Sequence, residues 1–296
     1  MWDASGLIQL LTQHQQLNII LHSHNNHHAL PQPVYDKLLQ PHRMRNYFFI
    51  FVDKGATRHM VDMQETVVQE SQLLFLLPHQ IHVPPASKKA NEYYKLSLDD
   101  DCLKLLPKWY PFLINPFNNQ VVRFSKPARE RIRQSFVALE ALLMNSKNSN
   151  TQLLLAWLHI IMTEINEAYF SSALKNENNN LSLSRFILFK QIIEKELTAQ
   201  PSITAIAKQL SVSSNALYTL VKEYAGVSPK EYFTNRIMLE AQRVLFYSTI
   251  STKELAFDLG FSDPDYFSRL FKKHTGKSIT RFLEEVQDLS GKIIHP

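Results

Sequence analysis

Apolar positions in the last hundred residues recur at helical spacing and are broken at regular points. Ile206, Ala207 and Leu210 form one short stripe, and Leu217, Leu220 and Val221 form a second after a break at Val212-Ser213. The arrangement then repeats. Leu255, Ala256 and Leu259 are followed by a stop at Gly260, a corner at Phe261, and a new stripe of Phe267, Leu270 and Phe271. Ser213 caps the upstream second helix, and Ser262 or Asp263 caps the downstream one, with Pro264 in its first turn. The offset between copies is 49 before the turn and 50 after it, which places one extra residue at the start of the downstream second helix. Two short helices joined by a tight turn, the second presenting a polar face, form the arrangement of a major-groove reader, and an internal duplication is far more specific than one such match.

Between the copies, Ser228-Pro229-Lys230-Glu231 reads as a capping box that starts a connecting helix running to about Tyr247. Close to twenty residues of helix span ~30 Å, against ~34 Å between successive major-groove faces on one side of a duplex. Ser251-Thr252-Lys253-Glu254 is a second capping box opening the downstream motif. A leading helix over 183–197 carries Phe186, Ile193 and Leu197 on one side.

Upstream the period changes to two. The run at 46–53 (NYFFIFVD) reads as a buried strand, Gly55 as a turn, and 58–62, 66–69 and 73–77 as short strands. PHQIHVP reads as a turn, and 93–98 closes the series. Strands at this spacing predict a small antiparallel barrel or jelly roll. Two amphipathic helices follow. Lys126-Pro127 opens the first, with Ile132, Phe136, Leu139 and Leu143 along it. Thr151 caps the second, with Leu154, Trp157, Ile161, Ile165 and Ala168 in the same rhythm. They pack inward over the barrel or outward against a second subunit. Lys175 to Asn180 (KNENNN) has no core-forming residue and reads as a linker. The expected organisation is α+β: a barrel domain with its two helices over residues 1–174, a linker over 175–182, and an all-α domain over 183–296.

Composition narrows the classes. At 296 residues, 45% apolar and 20% charged, the chain supports two globular cores. It has no apolar run of membrane-spanning length and no leader signature at its N-terminus. The single Cys102 cannot form an internal disulfide, which fits a reducing cytoplasm, and its acidic surroundings disfavour a thiolate. The six glycines do not cluster, so no phosphate-cradling loop is present. The net charge of +5 is spread over both halves and says little, but 266–281 holds Arg269, Lys272, Lys273, Lys277 and Arg281 with no carboxylate. Phosphate contacts require such a patch. Five of the twelve histidines (His14, His22, His24, His27, His28) lie within the first thirty residues, among Asn and Gln that form no fixed frame. They read as a polar arm rather than a metal site.

The residues Ile206-Ala207, Leu217, Lys222, Gly226-Val227-Ser228-Pro229, Arg236, Ala241, Leu245, Ile250, Ala256, Gly260-Phe261-Ser262, Tyr266-Phe267, Arg269, Phe271-Lys272-Lys273, Thr275-Gly276 and Ser278 resemble the C-terminal unit of the AraC/XylS family of bacterial transcription regulators. The likeness runs from about Ser202 to Leu283, with Ile279 where the family usually has Pro and Phe282 where it usually has Tyr. By pattern, the upstream strands resemble the cupin-like sensor domain that often precedes that unit. The resemblance implies a cytoplasmic, homodimeric activator whose partners are double-stranded DNA, a small-molecule effector and RNA polymerase, with no membrane and no cofactor.

Exposure and chemistry distribute the roles. Arg269 can fork onto guanine, Asn215 onto adenine, and Ser268 or Thr219 onto either; Ala216 and Tyr218 can meet a thymine methyl, and Asp265 can accept from cytosine. By resemblance these positions match the family's base-facing ones. Lys222, Lys272, Lys273 and Lys277 are expected on phosphates. In the barrel, Phe49, Phe51, His82 and Tyr93 are the candidate lining of an effector pocket. The alternative is a cupin-type metal-dependent enzyme fused to a DNA-binding module. It needs a His-x-His pair with a later Glu and His, and the pair is missing: His79 and His82 flank a turn, and His59 has no neighbouring ligand. His82 therefore reads as a pocket or packing residue, and no catalytic residue or metal ligand is expected.

Overall fold

Strands form in the first half where β-branched and aromatic residues crowd together. The computed structural model describes residues 17–25, 40–85, 91–145, 150–171 and 180–292. It divides into two compact units, Met1–Lys175 and Asn176–Pro296. The histidines at 14, 27 and 28 and most of the expected linker lie outside the described residues.

The first unit holds two antiparallel sheets. Strands β1 (Ile19–Ser23), β8 (Glu92–Leu98), β3 (Tyr47–Lys54), β6 (Gln72–Leu76) and β9 (Val121–Arg123) form one in that spatial order. Strands β2 (His42–Arg43), β7 (Ile81–Val83), β4 (Ala56–Val61) and β5 (Gln64–Gln69) form the other. β7 falls inside the segment expected to be a plain turn; only Pro78-His79 turns there, with His79 at φ +71°. The sheets face each other across Met44, Ile50, Val52, Val61, Val68, Leu74 and Leu76. Both faces of β3 are covered, and for that reason its run shows no polar alternation. Ile50 and Val52 point to the opposite sheet, whereas Phe51 stacks on Tyr94 and Phe136 and Phe49 meets Phe112.

After β8 come a short helix α1 (Asp100–Lys104), a 3-10 turn (Pro111–Ile114), and the helices α2 (Lys126–Asn145) and α3 (Thr151–Phe170). Asn150, not Thr151, caps α3: its side-chain oxygen accepts from the backbone N–H of Gln152 and Leu153. Phe136 on α2 and Tyr169 on α3 bury their rings against the outer face of the five-stranded sheet, Tyr169 against Phe75.

The second unit is all helical: α4 (Asn180–Lys195), α5 (Ile203–Gln209), α6 (Ser214–Ala225), α7 (Pro229–Tyr247), α8 (Thr252–Asp258), α9 (Pro264–Thr275) and α10 (Ile279–Lys292). Phe186, Phe189, Tyr224 and Tyr232 stack between α4, α6 and α7, and Phe261, Phe267, Phe271 and Phe282 form the matching cluster downstream. Arg236 on α7 ties the leading helix to this frame. Its Nε and Nη2 each donate to Glu194 at 2.7 Å, and Nη1 donates to Glu240 at 3.1 Å. The two-pronged geometry fixes both the distance and the rotation of α4 against α7.

Candidate nucleic-acid interface

The duplication seen in the sequence reaches the backbone hydrogen bonds. In the first motif Ser211 N–H donates to Lys208 O and Val212 N–H to Ala207 O; in the second, Gly260 N–H donates to Phe257 O and Phe261 N–H to Ala256 O. Both second helices have 12 residues and end in a left-handed glycine, Gly226 or Gly276. Their caps, Ser213 and Asp263, correspond. The extra downstream residue is therefore Ser262 in the turn, not a residue of the helix. Asp263 is the cap, its Oδ1 accepting from the N–H groups of Asp265 and Tyr266.

Each second helix buries one side and exposes the other. On α6, Leu217, Leu220 and Val221 are buried, while Asn215, Ala216, Tyr218, Thr219 and Lys222 are exposed. On α9, Phe267 and Phe271 are buried, and Asp265, Arg269, Lys272 and Lys273 are exposed. Ser268 is half-buried. The Ser268 hydroxyl donates to Pro264 O and the Thr219 hydroxyl to Asn215 O, leaving both oxygens as acceptors. Arg269 lies 3.8 Å from the Asp263 carboxylate, which aims the guanidinium along the N-terminal half of α9 without burying it. A cleft of about 370 Å³ runs beside α6, lined by Ile203, Ser214, Asn215, Tyr218, Ser228, Pro229 and Lys230. Exposed Tyr266 is the α9 counterpart of Ala216 and was not among the expected base contacts; the fifty-residue offset alone would have found it.

Two further details differ from the sequence pattern, one in the basic patch and one at a helix cap. Lys277 donates to Glu285 on α10, and Arg281 lies 3.6 Å from the same carboxylate. That hydrogen bond holds Glu285 below the usual carboxylate range. The carboxylate-free stretch ends only four residues before this partner, so Lys277 carries an ion pair to α10 that its position in the basic patch does not announce. Lys222, Lys272 and Lys273 pair with no carboxylate among the described residues. Of the two expected capping boxes, the one at Ser251 and Glu254 forms in full. At Ser228 the hydroxyl accepts from Glu231 N–H, and Pro229 occupies the first helical position.

In the first unit the four candidate pocket residues are not brought together. Phe49 and Phe51 point at the helices. Tyr93 pairs with Val52 and therefore shares the inner face, and His82 reaches the inner face from β7. His59 does have a neighbour there, contrary to expectation. The histidines form a chain: Thr57 Oγ1 lies 2.9 Å from His59 Nε2, His59 Nδ1 lies 3.0 Å from His82 Nε2, and His82 Nδ1 lies 3.4 Å from His42 Nε2. His42 Nδ1 ends the chain 3.1 Å from Gln40 O. A backbone carbonyl can only accept, so His42 Nδ1 carries hydrogen and the other tautomers follow: three neutral imidazoles donating in one direction. Burial pulls the pKa of His59 down to about 4 and that of His82 well below 6.5. Among the described residues no three His, Cys, Asp or Glu side chains are grouped to hold a metal ion. Buried Cys102 has its thiol pushed up to about 12 by burial and by Asp99. Among the described residues no helix is long and apolar enough to cross a membrane.

Comparison with known proteins joins these two halves. A family model described as an AraC-like ligand binding domain matches residues 33–160, and one described as a helix-turn-helix domain matches residues 206–285. The Msm operon regulatory protein of Streptococcus mutans is 30% identical over 139 residues, 47% of this chain and 50% of that protein. The HTH-type transcriptional activator RhaS of Escherichia coli O139:H28 is 32% identical over 97 residues, 33% of this chain and 35% of that protein. The chain thus spans half or less of the length of these two relatives. RhaS of Escherichia fergusonii is 22% identical over 236 residues, 77% of this chain and 82% of that protein. Among solved structures, ToxT from Vibrio cholerae is 13% identical with a TM-score of 0.44, covering 83% of this chain and 92% of that one.

Proposed function

This chain belongs to the AraC family of regulators, and from that premise we propose that it is a sequence-specific DNA-binding transcription regulator controlled by a small molecule in its N-terminal unit. One observation carries the reading. Two helix-turn-helix motifs match bond for bond, each with a capped, exposed recognition helix, and a 19-residue helix joins them. That rod is ~28 Å long, the right scale for one chain to set two recognition helices in adjacent major-groove segments. Asn215, Ala216, Tyr218, Thr219, Asp265, Ser268 and Arg269 meet bases, and Lys222, Lys272 and Lys273 meet phosphates. The curated relatives that this chain matches carry regulator names.

The two classes of contact separate in a binding assay. Arg269→Ala costs ~1–3 kcal/mol on the cognate site and relaxes discrimination at one base pair. Lys273→Ala weakens binding to all sequences alike and lowers the salt slope by about one. Equal loss on every sequence for Arg269→Ala would make Arg269 a phosphate contact, and an unchanged salt slope would remove Lys273 from the interface.

The working form is a homodimer that acts with RNA polymerase. On α2 the apolar side chains Val137 and Met144 are 44% and 60% exposed, and on α3 Leu153 and Ile160 are 49% and 39% exposed. Each pair is two helical turns apart, so each helix carries an apolar stripe that water should not keep. Met144→Glu combined with Ile160→Glu converts a dimer to a monomer in sedimentation equilibrium with unchanged helix content. A monomeric wild type would end the dimer reading.

A further inference from the structure

The two recognition helices are capped by different chemistry. Ser213 caps α6 through a single oxygen, which accepts from the backbone N–H of Ala216. Asp263 caps α9 with two bonds, its Oδ1 accepting from Asp265 N–H at 2.9 Å and from Tyr266 N–H at 3.1 Å. Those bonds fix the carboxylate and leave Oδ2 unused by the cap. Oδ2 is the oxygen that lies 3.8 Å from Arg269 Nη2. Among the described residues Asp265, one turn before Arg269 on the same helix, makes no ion pair with it. Aligned from their caps, the copies differ at both positions together: Ser213 goes with Thr219, and Asp263 goes with Arg269. The charged cap stands in the copy that has a guanidinium to hold.

An arginine in a groove has two uses. Its fork reads the O6 and N7 of a guanine, which requires one orientation, and the same fork grips any phosphate within reach. The side chain is long and rotamer-rich, so a free guanidinium is shared between them. The Arg269 side chain is 69% exposed, so packing does not choose. A fixed anion beside the helix N-terminus does. It draws the guanidinium toward the end of the helix that a helix-turn-helix presents to base edges, and it repels phosphates on that flank. Its two effects have opposite signs: discrimination rises, and affinity for DNA at large falls.

We propose that Asp263 is a positioning residue for base recognition: its Oδ2 aims the Arg269 fork at a guanine and keeps it off the phosphates. The proposal rests on the reading that α9 lies in a major groove, and it adds a specificity determinant that acts through Arg269 without touching a base.

Fluorescence anisotropy with the full chain tests it. The probes are a duplex that the wild type selects from a randomised library, the single-base-pair variants of that duplex, and a random-sequence duplex. Asp263→Asn removes the charge and keeps the cap, since asparagine caps a helix about as well as aspartate. Its discrimination at the base pair read by Arg269 falls about fivefold, the upper end for an exposed ion pair, while it binds random-sequence DNA at least as tightly as wild type. Asp263→Ser, which copies the upstream cap, behaves the same way. In an Arg269→Ala background, Asp263→Asn changes discrimination no further. Unchanged discrimination in Asp263→Asn would overturn the proposal. Weaker binding to every duplex alike, an equal loss with and without Arg269, or lost helix content by circular dichroism in both variants would overturn it too, leaving Asp263 a cap and nothing more. A wild type that selects no sequence from the library would remove the sequence-specific reading and the proposal together. A selective wild type with an indifferent Asp263→Asn removes the proposal alone.

Discussion

Gly260→Ala lowers the stability of the C-terminal unit by ~2–5 kcal/mol, adding the ~1–2 kcal/mol of a left-handed alanine to the ~1–3 kcal/mol of forced overpacking. Gly260 sits at φ +83° in the turn of the second motif, and a Cβ there would stand 2.0 Å from the Thr198 carbonyl oxygen. That oxygen belongs to backbone held in place, since the Gln200 side chain two residues further on donates to Leu259 O at 2.7 Å. Neither side can yield cheaply. The molecule supplies its own controls. Gly226 and Gly276 have φ +73° and +75°, with nothing within 4 Å of an added Cβ. Alanine there should cost only the ~1–2 kcal/mol of the backbone conformation. The equivalent turn position in the first motif is Ser211 at φ +53°, so the turn itself accepts a side chain where no carbonyl crowds it. Chemical denaturation followed by circular dichroism measures all three. Equal costs at 226, 260 and 276 would show that the Thr198 contact relaxes freely. Because Gly260 aims α9, its alanine variant should also lose binding to the second half of the DNA site before it loses binding to the first.

The same comparison explains why the C-terminal half was legible and parts of the N-terminal half were not. Helical stripes, serine caps and terminal glycines are local signals, and a duplication states each of them twice. The differences there are short-range: Ser262 and Asp263 both suit a cap, so the pattern alone puts the extra residue at the start of the helix rather than in the turn, and the Lys277 partner lies beyond a helix break. In the sheets the informative contacts are distant. His42, His59 and His82 meet through strand pairings that no spacing announces. β3 is covered on both faces, so its aromatic run could not reveal that Phe49 and Phe51 face the helices while Ile50 and Val52 face the other sheet. One signal was present and unused. Thr57, His59 and Val61 alternate along β4, so a buried Val61 puts His59 inside as well.

The histidine chain makes the N-terminal unit acid-sensitive. In the unfolded chain His59 takes up a proton near pH 6.5, and in the folded chain only at about pH 4. Between those values the unfolded state binds more protons, so stability is full above pH 6.5 and falls as pH drops toward 4. A displacement of that size is worth ~3 kcal/mol for His59 alone. His82 is displaced in the same direction, chiefly by burial, and a charge arriving on His42 or His59 would push it further. Protonating any member also breaks the donor order, because a doubly protonated ring offers no acceptor to the residue behind it. We therefore expect the unfolding midpoint of the N-terminal unit to drop steeply between pH 6.5 and pH 4. His59→Gln, which keeps a polar group at the site without a titrating one, should flatten that slope by about one proton. A pH profile identical in wild type and His59→Gln would mean that the imidazoles are hydrated and titrate freely, and the one-way chain of neutral rings would have to be abandoned.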